Sequence, residues 1–270
     1  MKTVLITGAS SGMGYQTAKL LAKSGFQVFG AARNITPMDS LKDLGVTPIK
    51  MDVTSQASMQ VGVNQIIQKA GKIDVLINGA GYGSFGAIEN VSIEEAKRQF
   101  DVNVFGLVAL TKLVLPLMEK QHSGEIINIS SMAGRFSSPL AGWYFASKHT
   151  VETLSDSLRM EVKRFGIKVV LIEPGVVKSN WSKIAMKKLV DSSMGTKYEQ
   201  AAKEMEKKNN QLYASKLASQ PALIAKTIKK TIEDKHPRPR YLIGFGAKPT
   251  IFFNAILPTR LMDLIVPKFM

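Results

Sequence analysis

The chain has 270 residues, 45% of them hydrophobic, enough to bury the core of one large α/β domain. It contains no cysteine, which excludes disulfides, thiolate metal sites and cysteine nucleophiles and fits a reducing, cytoplasmic setting. Its formal charge of +15 is uneven: residues 1–177 carry 18 Lys and Arg against 14 acids, whereas residues 178–270 carry 18 against 7.

A basic C-terminal third can steer anionic ligands or touch nucleic acid or an anionic membrane, but a solvated lysine-rich surface is the plainer expectation. No nucleic-acid partner is expected. No repeat or low-complexity run is present, and no apolar stretch of the ~18 residues of a spanning helix is expected. The first residues run into a glycine motif instead of a signal-peptide core.

Residues 3–7, Thr-Val-Leu-Ile-Thr, are a β-branched apolar run that predicts a buried strand. Gly8, Ser10, Ser11, Gly12, Met13 and Gly14 follow, then a helical pattern holding Ala18, Leu20, Leu21 and Ala22. Strand, glycines and helix start together predict a phosphate cradle, because glycine permits close backbone approach and the helix start offers free N–H groups. Residues 25–32 predict the second strand, ending at Arg33 and Asn34. An acid at that end would bond a ribose 2′-hydroxyl and repel a 2′-phosphate. The acid is absent and Arg33 suits a phosphate, so NADP(H) is expected in preference to NAD(H).

Residues 46–51 predict a third strand closed by Asp52 and Val53, with Thr54 or Ser55 capping a helix to about residue 70. Residues 72–77 predict the fourth, ending at Asn78, Gly79, Ala80 and Gly81, small residues that let a cofactor or backbone come close. Ser92 opens a long helical stretch to about residue 120, with Asn103 in an apolar surround where an amide must find partners. Residues 124–130 predict the fifth strand, with Ser131 at its end. This rhythm predicts a Rossmann-like, doubly wound parallel sheet of about seven strands between helical layers, an α/β/α sandwich with ligands at the carboxyl ends of the strands. The glycine loop, Asp52, Asn78 and Ser131 converge there.

Tyr144 and Lys148 stand four apart, which on a helix puts both on one face. An ammonium ~4 Å from a phenolate, at an effective dielectric of ~20, stabilises it by about 4 kcal/mol. Lys148 is therefore expected to lower the phenol's pKa and make Tyr144 a usable general acid or base. The spacing alone is weak, since Tyr15 and Lys19 repeat it.

Residues 166–172 predict the sixth strand, followed by Glu173, Pro174, Gly175, Val176, Val177, Lys178 and Ser179. Residues 181–219 turn helical and lysine-rich, with Trp181, Ile184, Met186, Leu189, Met194, Tyr198, Met205, Leu212 and Tyr213. Methionines beside aromatics either suit a bulky apolar substrate or simply pack on the domain. Pro221 opens another helix to about residue 235, residues 236–244 predict an edge strand, and residues 249–270 are amphipathic. Core or subunit packing is the expected use of this tail; covering the pocket or lying on a membrane surface are the alternatives.

With these residues the chain resembles the classical short-chain dehydrogenase/reductase family over residues 1 to about 180. The resemblance rests on Thr7-Gly-Ala-Ser-Ser-Gly12-Met-Gly14, Asp52-Val53, Asn78-Gly-Ala-Gly81, Asn103, Ser131 thirteen residues before Tyr144, Lys148, Pro174-Gly175 and Ser179. Residues 239–244, Pro-Arg-Tyr-Leu-Ile-Gly, and the tail look like its 17-beta-hydroxysteroid-dehydrogenase-like branch. The resemblance implies hydride transfer between nicotinamide and a hydrophobic ketone, aldehyde or secondary alcohol. In it Tyr144 moves the proton, Lys148 lowers the phenol's pKa and bonds the nicotinamide ribose, Ser131 holds the reacting oxygen, and Asn103 positions a relay water. Val177 would donate to the carboxamide and Ser179 would lie near the phosphates.

The family also implies one domain over residues 1–270, with a substrate lid at about 178–219, an extension at about 245–270, and homo-oligomers (dimer or tetramer). A steroid, a retinoid, an acyl-glycerone phosphate or a xenobiotic carbonyl are the substrates it suggests. A catalytically silent NADP(H)-sensing regulator is the alternative, and the intact Ser131, Tyr144 and Lys148 argue against it. No metal is expected, since His122, His149 and His236 lie in no ligand cluster.

Overall fold

The computed structural model describes residues 1–269 of the chain. Its first strand, β1 (Thr3–Thr7), is buried at every position, as a strand covered on both faces must be. Then come α1 (Gly12–Lys23), β2 (Gln27–Ala32), the single turn α2 (Asp39–Lys42), β3 (Val46–Lys50), α3 (Gln56–Ala70) and β4 (Val75–Asn78). Ser55, not Thr54, caps α3, its hydroxyl accepting from the Ser58 N–H at 3.3 Å. Thr54 instead bonds the Asp52 carboxylate.

Two helices follow, α4 (Ile93–Phe100) and α5 (Gly106–Lys120), joined without a break by a wider π-type turn at Asp101–Phe105. This continuous helix, Ile93–Lys120, spans 28 residues and is long and apolar enough to cross a membrane by composition, contrary to the expectation from sequence. Leu110, Val114 and Met118 on it are fully buried in the core beneath the sheet, so one side of this helix packs into the core.

Further along are β5 (Gly124–Ile129), α6 (Gly142–Val162), β6 (Ile167–Pro174), α7 (Asn180–Ser193), α8 (Glu199–Ala214), α9 (Pro221–Glu233), β7 (Arg240–Ile243), α10 (Ala247–Ile256) and α11 (Thr259–Phe269). The seven strands pair in the order β3-β2-β1-β4-β5-β6-β7, every pair parallel.

Alternation along β1 sorts the core into two layers. Val4 and Ile6 join Leu21, Ile224 and Ile228 from α1 and α9, whereas Leu5 joins Met59, Ile66, Val114 and Met118 from α3 and α5. Burying each such side chain contributes about 1.5–3 kcal/mol. The chain reverses its winding between β1 and β4, so the strand ends there part to leave a crevice, the usual ligand site of such a sheet.

Candidate active site

The loop leaving β1 shows why glycine is needed in that crevice. Gly8 has φ of +71°, and a Cβ there would stand 2.7 Å from the Gly79 carbonyl oxygen beyond β4. A Cβ on Gly14 would collide with the Gly8 backbone. The first turn of α1 holds no acid, and Ser11 at its start makes no side-chain cap, so no side chain neutralises the positive end of the helix. Ser10 and Ser11 complete the loop.

Thr7 ties the next loop down: its hydroxyl accepts from the Gly79 N–H at 3.0 Å and the Ala80 N–H at 3.1 Å. Asn78 points the other way. Its amide donates to Thr111 Oγ1 at 3.1 Å and Asn128 Oδ1 at 2.9 Å, and Asn128 donates on to Ser155 at 2.8 Å. Asn78 therefore acts on the crevice by placing the backbone of Gly79 and Ala80.

At the far end of the crevice, Arg33 is exposed just beyond β2. The Thr54 N–H bonds the Asp52 carboxylate and holds it low against partial burial, helped by the Thr54 hydroxyl and by the charge of Arg33. Val53 follows Asp52, its carbonyl against Gly106 at the start of α5.

At the other end, Ser131 stands just beyond β5 in extended conformation. Its hydroxyl accepts from the Ala133 N–H at 3.1 Å, donates to the Pro174 carbonyl at 3.4 Å and favours the ionised Tyr144 phenol beside it. Tyr144 and Lys148 lie on one face of α6, both buried. The Lys148 ammonium donates to the Ile129 carbonyl at 2.9 Å. Burial is the main influence on both groups: it pushes the phenol up, against the Ser131 hydroxyl, and brings the lysine down to about 8, against the charge of Glu152. The direction for Tyr144 is thus the reverse of the one its spacing from Lys148 predicts. Rings explain it, since Trp181 packs 4.9 Å and Phe85 5.5 Å from the Tyr144 ring, centroid to centroid.

Asn103 sits in the π-type turn and is buried. Its carboxamide accepts from the Tyr82 N–H at 3.0 Å and donates to the Tyr82 carbonyl at 2.9 Å and to Ser147 at 3.2 Å. It braces the loop after β4 against α6, next to Lys148. Π-type turns mark functional sites often enough to be informative, and nothing in the local residue pattern announced this one.

Between these groups and α7, α8, α10 and α11 lies a largely apolar cavity of about 810 Å³. Met13, Gly79, Ser131, Tyr144, Lys148, Pro174, Gly175, Val177 and Ser179 form one wall. The turn from Pro174 to Ser179 is clamped by backbone bonds of Gly175 to Ile243, Val176 to Phe245 and Lys178 to Ser219. Gly8, Ser10, Ser11, Gly12, Gly14, Arg33, Asp52 and Val53 lie outside the cavity, along the crevice. The helical region divides the sequence's apolar set three ways. Met186 and Leu189 are core, Trp181, Met205, Leu212 and Tyr213 line the cavity, and Ile184 and Met194 face solvent.

Sequence reasoning passed over the acids behind Lys148. Glu152, one turn further along α6, and Glu173 on β6 are buried and share Arg240, at 3.2 Å and 3.0 Å. Burial raises Glu152 to about 7, against the Ser130 hydroxyl and Arg240 and reinforced by Glu173. The four-residue step from Lys148 to Glu152 was a visible signal. The partner from β7 was not.

A family model described as short chain dehydrogenase matches residues 2–190. The chain belongs to the short-chain dehydrogenase/reductase family. This dehydrogenase is 37% identical over 263 residues to the probable short-chain type dehydrogenase/reductase VdlC of Helicobacter pylori, covering 96% of this chain and 94% of the relative. It is 45% identical over 172 residues to the 3-ketodihydrosphingosine reductase of Bacteroides thetaiotaomicron, covering 64% and 62%. It is 31% identical over 281 residues to the NADPH-dependent 3-dehydrocapnine reductase of Ornithobacterium rhinotracheale, covering 99% and 97%. A solved short-chain dehydrogenase from Streptomyces avermitilis superposes with a TM-score of 0.81 at 30% identity, covering 97% of this chain and 93% of that one. The dehydrogenase is thus an oxidoreductase acting on alcohol or carbonyl groups with a nicotinamide cofactor. Its glycine-lined crevice, with an acid-free helix start at one place and a cation at its end, fits that dinucleotide.

Proposed function

We propose that the enzyme is an NADP(H)-dependent reductase of a ketone carried on a long apolar chain. The observation that carries this reading is the apolar cavity of about 810 Å³ leading directly to the Ser131–Tyr144 pair. Deep apolar pockets with a few convergent polar groups recognise apolar molecules with one reactive polar point. Two relatives are named as reductases of 3-ketodihydrosphingosine and 3-dehydrocapnine, which supports a long-chain ketone over a steroid, a retinoid or a xenobiotic carbonyl.

The cofactor supplies the hydride. In our reading Gly8, Ser10, Ser11, Gly12, Met13 and Gly14 hold its phosphates, and Arg33 pairs with the 2′-phosphate. Asp52, Val53, Asn78, Gly79 and Ala80 border its adenosine and ribose side, and Pro174, Gly175, Val177 and Ser179 close over the nicotinamide end. Ser131 and Tyr144 share the substrate's carbonyl oxygen. Burial keeps the Tyr144 phenol protonated, so it gives its proton to that oxygen as charge develops there, which suits reduction. Lys148 holds the ribose beside it and stabilises the phenolate left behind. Asn103, its carboxamide spent on Tyr82 and Ser147, is a positioning residue that keeps the relay side of Lys148 in shape.

Residues 178–219 serve as the substrate lid of a single domain in this reading, and the cytoplasm is its place of work. Phe105, Leu154 and Met160, exposed on and beside α5 and α6, support pairing of copies into a dimer or tetramer. Lys208 on the cavity wall supports a second substrate within the same reaction, a ketone with an anionic head such as an acyl-glycerone phosphate. Consumption of NADPH across long-chain amino ketones, acyl-glycerone phosphates, ketosteroids, retinals and small aromatic carbonyls tests the reading. A highest kcat/KM on a short or rigid carbonyl overturns it.

A further inference from the structure

The last two helices carry exposed apolar side chains at helical spacing. Phe252 and Ile256 on α10, and Leu261 and Leu264 on α11, are exposed, Phe252 by 60% and Leu264 by 64%. On α10 the two stand four residues apart and on α11 three, so each pair forms a stripe along its helix. The inner sides of the same helices belong to the cavity, which Leu257, Met262, Ile265 and Val266 help to wall. Phe253 is both: it lines the cavity and is 48% exposed, so the cavity has an opening at this face.

Charge follows the same face. Lys248, one turn before Phe252, and Arg260, one turn before Leu264, are exposed beside the stripes. From residue 235 onward the sequence carries six Lys and Arg and one acid, Asp263. We propose that α10 and α11 dock on an anionic lipid surface, laying Phe252, Ile256, Leu261 and Leu264 into the interface so that the cavity opens toward the bilayer.

Apolar side chains flanked by cations are the combination an anionic leaflet binds, through buried area and attraction to its head groups together. A second copy of the chain is disfavoured as the occupant on two counts. The cationic third, with 18 Lys and Arg against 7 acids over residues 178–270, would then confront itself. A copy seated at Phe253 would also obstruct that opening.

The inference does not depend on the substrate proposed above, because binding is read without turnover. The test is sedimentation of the full chain with vesicles of phosphatidylcholine alone or with about a third phosphatidylglycerol, at low and high salt. Binding at least roughly tenfold tighter to the anionic vesicles, weakened by salt, is expected. The double variant Phe252→Glu, Leu264→Glu should lose it, as should Lys248→Glu, Arg260→Glu. Each should keep the wild-type melting temperature and NADPH turnover on a water-soluble ketone. Absence of binding, equal binding to both vesicle types, or undiminished binding by both variants overturns the proposal. So does a wild-type dimer that the Phe252→Glu, Leu264→Glu variant turns into a monomer, which would assign the face to a second copy.

Discussion

The two walls of the cavity are made by opposite means. The sheet-side wall is a set of loops at strand ends, each held by buried or partly buried polar bonds: Thr7 to Gly79 and Ala80, Asn78 through Asn128 to Ser155, Asn103 to Tyr82 and Ser147. The opposite wall comes from α7, α8, α10 and α11 and consists mainly of apolar side chains, several partly exposed. A proton and a hydride must be delivered within fractions of an ångström, which calls for rigid placement. Holding a hydrocarbon calls only for apolar area, which tolerates exchange of one side chain for another. Chemistry and specificity are therefore separable here, and each can be disturbed alone.

The largest expected effect is on the sheet side. Tyr144→Phe keeps the ring between Phe85 and Trp181 and removes the proton, so kcat should fall by about 10²–10⁴-fold. NADPH affinity, from fluorescence titration, should stay near wild type. Retained turnover would break the division of labour at its first step.

Next is the cost of burying Lys148, whose pKa falls from 10.5 to about 8. Below pH 8 folded and unfolded chains both carry the proton, and the full burial cost is present. Between about 8 and 10.5 the folded chain has released it and the unfolded chain has not. From this group stability therefore rises with pH across that window, by up to about 3 kcal/mol. Urea unfolding of wild type against Lys148→Met across it should show the gain in wild type only. A flat difference would mean that the lysine's burial is compensated.

Arg33→Asp should reduce the preference for NADPH over NADH by about 10–100-fold, the worth of a charge-assisted phosphate contact of roughly 1.5–3 kcal/mol. Steady-state kinetics with both cofactors reads it, and an unmoved ratio would remove Arg33 from the cofactor site. Leu212→Ala should act on the other wall and least. KM for a bulky ketone should rise by about tenfold, the loss of one leucine's apolar contact area, while NADPH affinity stays put. A kcat loss as deep as that of Tyr144→Phe would show that the two walls are not separable.

Much of this was legible from residue order. The strand–glycine–helix run, the alternation of strands with helices, and the spacing of Ser131, Tyr144 and Lys148 are local patterns, and a parallel sheet turns them into one row of strand ends. The pKa of Tyr144 was not legible, because Phe85 and Trp181, far apart in sequence, supply the burial that overrides a charge one turn away. Nor were the roles of Asn78 and Asn103, whose partners Asn128 and Ser147 arrive from other elements.

By itself the sequence determined the fold, the family and the identity of the chemical groups, since period, glycine placement and short spacings are properties of a contiguous chain. The tertiary structure alone decided which apolar residues of α7 and α8 are core and which are cavity wall, which acids stand behind Lys148, and that α10 and α11 show one apolar side to the cavity and another to solvent. Those outcomes depend on dielectric and on contact between distant segments, and neither exists until the chain has folded.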